Sequence, residues 1–228
     1  MISISPPVGP PVDPTPAQRP GAVTLPGRFG SVARLSAAQA AADLWQALRG
    51  HDEVWTYLAY GPFDNERALG DWLCEREALK DPYYYCVLDK NGRAIGLLSL
   101  MAIRPEMRVV EVGNILYSPV LQRTPLATET QYLLARYVFE TLGYRRYEWK
   151  CNALNAPSRR AAARYGFVFE GIFHQHMIVK GRSRDTAWFA MLDSDWPARR
   201  KNFEAWLTPE NFENHGRQKL SLAALNGA

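Results

Sequence analysis

Apolar residues recur along this chain with two periods, and the points where the period changes divide it into elements. Behind a short strand over 30–35, Ser36 is a good N-cap, and Ala41, Leu44, Trp45 and Leu48 share one face of a helix that Gly50 ends. A polar and aromatic segment follows, with Tyr57, Tyr60 and Phe63 flanking Gly61-Pro62. Asp64 then caps a helix over 65–79, with Leu69, Trp72, Leu73 and Arg76 at helical spacing. From Tyr83 the alternation is that of strands. Residues 83–88 and 94–103 predict a hairpin across Lys90-Asn91-Gly92, because Asn-Gly supplies the positive φ angles of a tight turn. A strand over 108–117 stops at Pro119, and a strong helix over 125–142 is closed by Gly143 as its C′ residue. A strand over 147–152, a helix over 156–165, a hairpin of 167–179 with 186–192 across Lys180-Gly181-Arg182, and a helix over 197–207 complete the pattern. The order β-α-α-β-β-β-α-β-α-β-β predicts one mixed α/β domain.

Composition changes the picture at the N-terminus. Half of the prolines lie between Pro6 and Pro26 with almost no apolar periodicity, so residues 1–27 are expected to form an extended arm that buries too little surface to offset its ordering entropy. Residues 28–196 form the expected domain, and 197–228 a C-terminal helix and tail. No signal-peptide pattern and no apolar run long enough to span a bilayer is present, which predicts a cytoplasmic protein without a membrane partner. Three widely spaced cysteines, Cys74, Cys86 and Cys151, fit neither a zinc site nor a disulfide framework. The net charge of +4, spread over dispersed Arg and Lys, does not indicate nucleic-acid binding, although a mildly basic surface suits an anionic cofactor.

The first candidate chemistry lies where a strand ends and a helix begins, at Gln122, Arg123, Thr124, Pro125, Leu126, Ala127 and Thr128. The free N–H groups of a helix start favour an anion, Thr124 is a good N-cap, and Pro125 suits the first helical position. A plain helix cap looks the same. Further along, Asn155 and Ser158 open a short helix that ends at Tyr165-Gly166-Phe167.

With these residues in view, the chain resembles the GCN5-related N-acetyltransferase family, and more closely its branch that includes the ribosomal-protein N-terminal acetyltransferases. The matching residues are Val112-Gly113-Asn114-Ile115, the Gln122 to Ala127 loop, Asn155-x-x-Ser158, Arg164-Tyr165-Gly166-Phe167 with Glu170-Gly171, and Gly181-x-x-x-Asp185 with Asp195-Trp196. The likeness runs over about 24–196. One departure is Pro125, which stands where the family's phosphate loop usually has glycine and removes an N–H donor.

The resemblance implies a mostly antiparallel sheet with flanking helices and a splayed central strand pair, acetyl-CoA or another acyl-CoA as cofactor, and transfer to a primary amine of a small molecule, peptide or protein N-terminus. It implies that the backbone of Asn114, Ile115 and Leu116 pairs with the pantetheine as a substitute strand, that the 122–128 loop takes the pyrophosphate, and that Asn155 holds the pantetheine arm or caps its helix. Glu111, eleven residues ahead of Gln122, matches the strand glutamate that serves as base in the histone-acetylating branch. Its alternative is an exposed strand glutamate paired with an arginine. Tyr165 is the first candidate proton donor and Ser158 its rival; packing at a helix end and a first-turn serine are the ordinary alternatives. Tyr60, Phe63 and Glu111 are expected at the acceptor side, though core packing accounts for the aromatics equally well. His174 joins them as pocket lining or surface, and His174 with His176 lacks a third metal ligand at useful spacing. A non-catalytic acyl-CoA-binding module, an interaction protein using the proline-rich arm, and a homodimer all stay open.

Overall fold

Asn91 and Gly92 turn the chain as their sequence requires. Gly92 has φ 78°, and the Asp89 carboxylate accepts from Asn91 N (2.8 Å) and Arg93 N (2.9 Å), tying β3 (Tyr83–Leu88) to β4 (Ala94–Arg104). The computed structural model of the chain describes residues 6–213 and 217–227. The hairpin belongs to an eight-stranded sheet with β1 (Thr24–Pro26), β2 (Ser31–Arg34), β5 (Val109–Tyr117), β6 (Arg146–Asn152), β7 (Val168–Val179) and β8 (Arg182–Leu192), ordered β1-β2-β3-β4-β5-β6-β8-β7. Every neighbouring pair is antiparallel except β5 and β6.

Helices cover both faces of the sheet. On one side α1 (Ala37–Leu48) and α2 (Glu66–Ala78) set Leu44, Leu48, Leu69 and Leu73 against Tyr84, Cys86, Leu97 and Leu116. On the other, α3 (Pro125–Arg136), α4 (Ala156–Arg164) and α5 (Trp196–Leu207) close over Tyr85, Leu98, Val110, Val112, Tyr147 and Trp149. A short α6 (Leu222–Asn226) caps the end of α4, with Asn226 Nδ2 donating to Arg164 O at 2.9 Å.

The central parallel pair opens partway along. Pairing runs from Val109 opposite Arg146 to Val112 opposite Trp149 and stops there. Against β4, Ser99 faces Gly113 and Leu97 faces Leu116, so β5 carries one extra residue, a bulge at Asn114 with φ 52°. The bulge bends β5 away from β6, and its Asn114 to Leu116 backbone edge faces the resulting gap. The expected splay is present.

Several local expectations are refined. The cap of α2 is Asn65, not Asp64: its side chain accepts from Ala68 N at 2.9 Å. Ser36 makes no side-chain cap, and Glu77 Oε2 takes the Ala37 N–H instead (2.8 Å). The helix over 125–142 is α3 followed by a π turn, Tyr137–Thr141. β8 begins at Arg182 rather than 186. The N-terminal stretch is the larger correction. Ala17 and Pro20 are buried, Gln18 N donates to Leu142 O (2.8 Å), Gly21 N to Tyr137 Oη (3.1 Å), Tyr85 Oη to Gly21 O (3.0 Å), and β1 adds to the sheet. A proline-rich segment with no periodicity can still be ordered when distant tyrosines supply its partners.

Candidate active site

Glu111 lies on β5 directly opposite Glu148 on β6, just before the strands part. Two carboxylates this close need a cation, and Lys150 supplies it: Nζ is 2.9 Å from Glu111 Oε2 and 2.8 Å from Glu148 Oε2, over the Trp188 ring at 4.0 Å. Glu148 is also held by Arg146 (2.7 Å). For Glu148 burial opposes ionisation, but Lys150 and Arg146 together hold its carboxyl below the usual range. Glu111 is different. Burial raises its carboxyl above the ordinary carboxylate value, Lys150 pulls it back only in part, and the Glu148 charge pushes it further up. Its other oxygen, Oε1, faces Gly113: a Cβ there would lie 3.5 Å from Oε1 and would collide with Met101.

On the far side of the gap the strand-loop-helix geometry is as the sequence requires. Thr124 Oγ1 accepts from Ala127 N (3.2 Å) and donates to Leu121 O (2.7 Å), and Gln122 Nε2 donates to Tyr117 O (2.8 Å). Arg123 sits at φ 62°. Leu121, Leu126, Ala127 and Thr128 are buried, so the loop is fixed from beneath. Pro125 has no N–H and Ala127 spends its own on the cap, which leaves the Leu126 N–H as the helix-start donor.

Asn155 and Ser158 come together at the start of α4. Asn155 Oδ1 caps the helix through Ser158 N (3.1 Å), and Ser158 Oγ accepts from Trp149 Nε1 (3.0 Å), beside the last paired position of β6. Tyr165 packs on the same tryptophan from the other end of the helix, its charge state felt by Tyr117 at the end of β5. It ends α4, about 10 Å along the axis from Ser158, buried between Trp149 and Phe203 (centroids 6.0 and 6.2 Å), with Thr128 and Arg164 as its polar neighbours. Burial pushes its hydroxyl pKa up.

Tyr60 reaches the bulge. Its hydroxyl donates to Asn114 Oδ1 (3.2 Å), whose Nδ2 donates to Ser99 Oγ (2.9 Å). Phe63 packs edge-on to Trp55 (5.4 Å) and against Trp72 (5.4 Å), in the aromatic group beneath the same segment. Lys180, at the tip of the β7–β8 hairpin, donates to Gly61 O (2.8 Å) and Trp55 O (3.1 Å), and Tyr57 Oη donates to Leu154 O (3.2 Å). The 51–63 segment is thereby strapped to the elements beyond the gap. His174 is largely exposed and held by Asp185 (2.8 Å), while His176 meets Thr186 (3.0 Å). A bulge at Gln175, φ 49°, interrupts the alternation that would have placed both rings on one face. Among the described residues, no three potential metal ligands converge, and no helix is long and apolar enough to cross a membrane.

Sequence reasoning missed Lys150 and Glu148. The polar alternation Arg146, Glu148, Lys150, Asn152 did mark a polar face on β6, but only the β5–β6 register puts that face beside Glu111.

The acetyltransferase (GNAT) domain family matches residues 34–168. A GCN5-related N-acetyltransferase from Brucella melitensis is 43% identical over 94% of this chain and 98% of its own, with a TM-score of 0.91. A probable acetyltransferase of the GNAT family from Chromobacterium violaceum is 39% identical over 85% of this chain and 100% of its own, with a TM-score of 0.78. RimL, a ribosomal L7/L12 alpha-N-protein acetyltransferase, shares the fold at 19% identity, covering 75% of this chain and 94% of its own, with a TM-score of 0.64. No curated protein matches.

Proposed function

The chain belongs to the GCN5-related N-acetyltransferase family, an acetyltransferase by that membership, and we propose that it moves the acetyl group of acetyl-CoA directly to a primary amine. The observation that carries this reading is the half-open β5–β6 pair, with a buried glutamate of raised pKa on β5 just before the strands part.

The residues fit the cofactor the family uses. The Asn114 to Leu116 edge would pair with an extended pantetheine as a missing strand would. The Leu126 N–H, with the Gln122 and Arg123 side chains around the α3 start, would meet the pyrophosphate, whereas Thr124 Oγ1 is spent on the cap and Thr128 is buried on Arg164. When bound, acetyl-CoA supplies an acyl group activated as a thioester.

The protein's own part is proton handling and exclusion. Glu111 takes a proton from the incoming ammonium at Oε1, while Lys150 holds Oε2 and keeps the carboxylate oriented. Ser158 Oγ, accepting from Trp149 and neighbouring the Cys151 thiol, would turn its proton to the leaving thiolate on the α4 side of the gap. Tyr60, Phe63 and the strapped 51–63 segment shape the acceptor entrance. A covalent acetyl-cysteine route is disfavoured by the thiols: burial raises the pKa of Cys151 and pushes that of Cys86 up to about 12, so neither readily forms the nucleophilic thiolate.

Release of free thiol from acetyl-CoA with a panel of amines tests the proposal. Intersecting initial-rate lines are expected. A ping-pong pattern abolished by Cys151→Ala would overturn direct transfer, and cofactor binding without thiol release from any amine would favour a non-catalytic acyl-CoA-binding module.

A further inference from the structure

Arg184 lies on β8 in the same alternation as Trp188, whose ring carries Lys150 and so borders Glu111. Its guanidinium is half-buried, and its charge is close enough to act on both Glu111 and Cys151, which mark the two sides of the opened strand pair. Yet among the described residues it has no hydrogen-bond or ion-pair partner, and Nε is fully buried without an acceptor. Trp188 Nε1, four residues on, is a second buried donor without one.

Charge bookkeeping around it is lopsided. Lys150 is committed to Glu111 and Glu148, and Arg146 to Glu148 and Glu170. Arg184 is thus an uncommitted cation in a partly desolvated site, which costs free energy until an anion arrives. The phosphates of the cofactor are accounted for at the α3 start, across the gap.

Building on the acetyl-transfer reading above, we infer that Arg184 recognises the acceptor, and that the acceptor is an amine that also carries a carboxylate. The planar guanidinium would grip the carboxylate by two parallel N–H donors. Phe173, 4.5 Å from the Trp188 ring, and Trp188 itself offer an apolar wall to the rest of the acceptor. Arg184 is on this argument a specificity residue, separate from Glu111 and Ser158.

The experiment pairs the twenty common amino acids with their α-amides and decarboxylated amines, using acetyl-CoA as donor and thiol release as readout, in the natural protein, Arg184→Lys and Arg184→Gln. In the natural protein the carboxylate-bearing member of at least one set should be preferred by about tenfold or more in kcat/KM, the size expected of a charge-assisted contact. Arg184→Gln should erase that preference through KM, Arg184→Lys should keep part of it, and acetyl-CoA Kd should be unchanged in both. The inference is overturned if uncharged amines are preferred, if Arg184→Gln keeps the preference, or if its acetyl-CoA Kd rises, which would put the missing anion on the cofactor. Absence of thiol release from every amine, with acetyl-CoA bound, instead sinks the transfer reading and this inference with it.

Discussion

Lys150 Nζ stands 2.9 Å from Glu111 Oε2, and the same ammonium is 2.8 Å from Glu148. A lysine shared between two carboxylates cannot neutralise both fully. Glu148, which has Arg146 as well, keeps the lower pKa, and Glu111 is left with the higher one. Environment thus separates two chemically identical groups, one held ionised and the other, with its raised pKa, suited to the base role proposed for it.

Glu111→Gln should lower kcat by about 10²–10³-fold, the usual worth of a general base, with acetyl-CoA Kd unaltered in calorimetry. The base works unprotonated, so activity of the natural protein falls as pH drops through the raised Glu111 pKa, and that acidic limb should vanish in the variant. The stability signs differ for the pair. Glu148 contributes stability above its unfolded pKa that is lost as pH falls through its lowered folded value, whereas the Glu111 contribution weakens as pH rises through its raised one.

Ser158→Ala and Tyr165→Phe separate the two candidate donors. Ser158→Ala should reduce kcat by about tenfold or more, within the range of acid catalysis. Tyr165→Phe should leave kcat within about twofold and alter stability by about 1 kcal/mol, as for a single neutral hydrogen bond. A large kcat loss in Tyr165→Phe, with normal stability in urea, would reverse the assignment.

Pro125→Gly should restore an N–H at the α3 start. One added hydrogen bond to a charged group is worth about 1.5–3 kcal/mol, so acetyl-CoA should bind about tenfold tighter, while unfolding stability drops by about 0.4–1 kcal/mol from the freer unfolded chain. Unchanged or weaker binding would mean that the loop meets the phosphates elsewhere.

Removing residues 1–14 should leave the unfolding midpoint unchanged. Removing 1–22 deletes the bonds from Ala17, Gln18 and Gly21 and leaves the Tyr85 hydroxyl without its acceptor. At about 1 kcal/mol per bond, stability should fall by about 2–4 kcal/mol, read from denaturant titration.

Local chemistry was legible wherever a few neighbouring residues decide it. The Asn91-Gly92 hairpin, the Thr124 and Asn155 caps, the Gly143 helix stop and the β-α-α-β-β-β-α-β-α-β-β order follow from periodicity, turn residues and caps, whose physics acts within one or two turns of chain. The family resemblance rested on the same local motifs, and so it anticipated the splay and pointed to the Gln122 to Ala127 loop and Glu111 as candidates. Tyr165 shows the limit: its place in a motif says nothing of the side on which the ring lands, and Trp149 and Phe203, distant in sequence, hold it in the core. The N-terminal segment shows it again, because its order depends on Tyr85, Tyr137 and Leu142. The pairing of Glu111 with Lys150 rather than an arginine, and the isolation of Arg184, depend on strand register and on what fails to arrive nearby. Electrostatic environment is a property of groups brought together across the fold, so only the tertiary structure decided which carboxyl is raised, which is lowered, and which cation among the described residues is left without a partner.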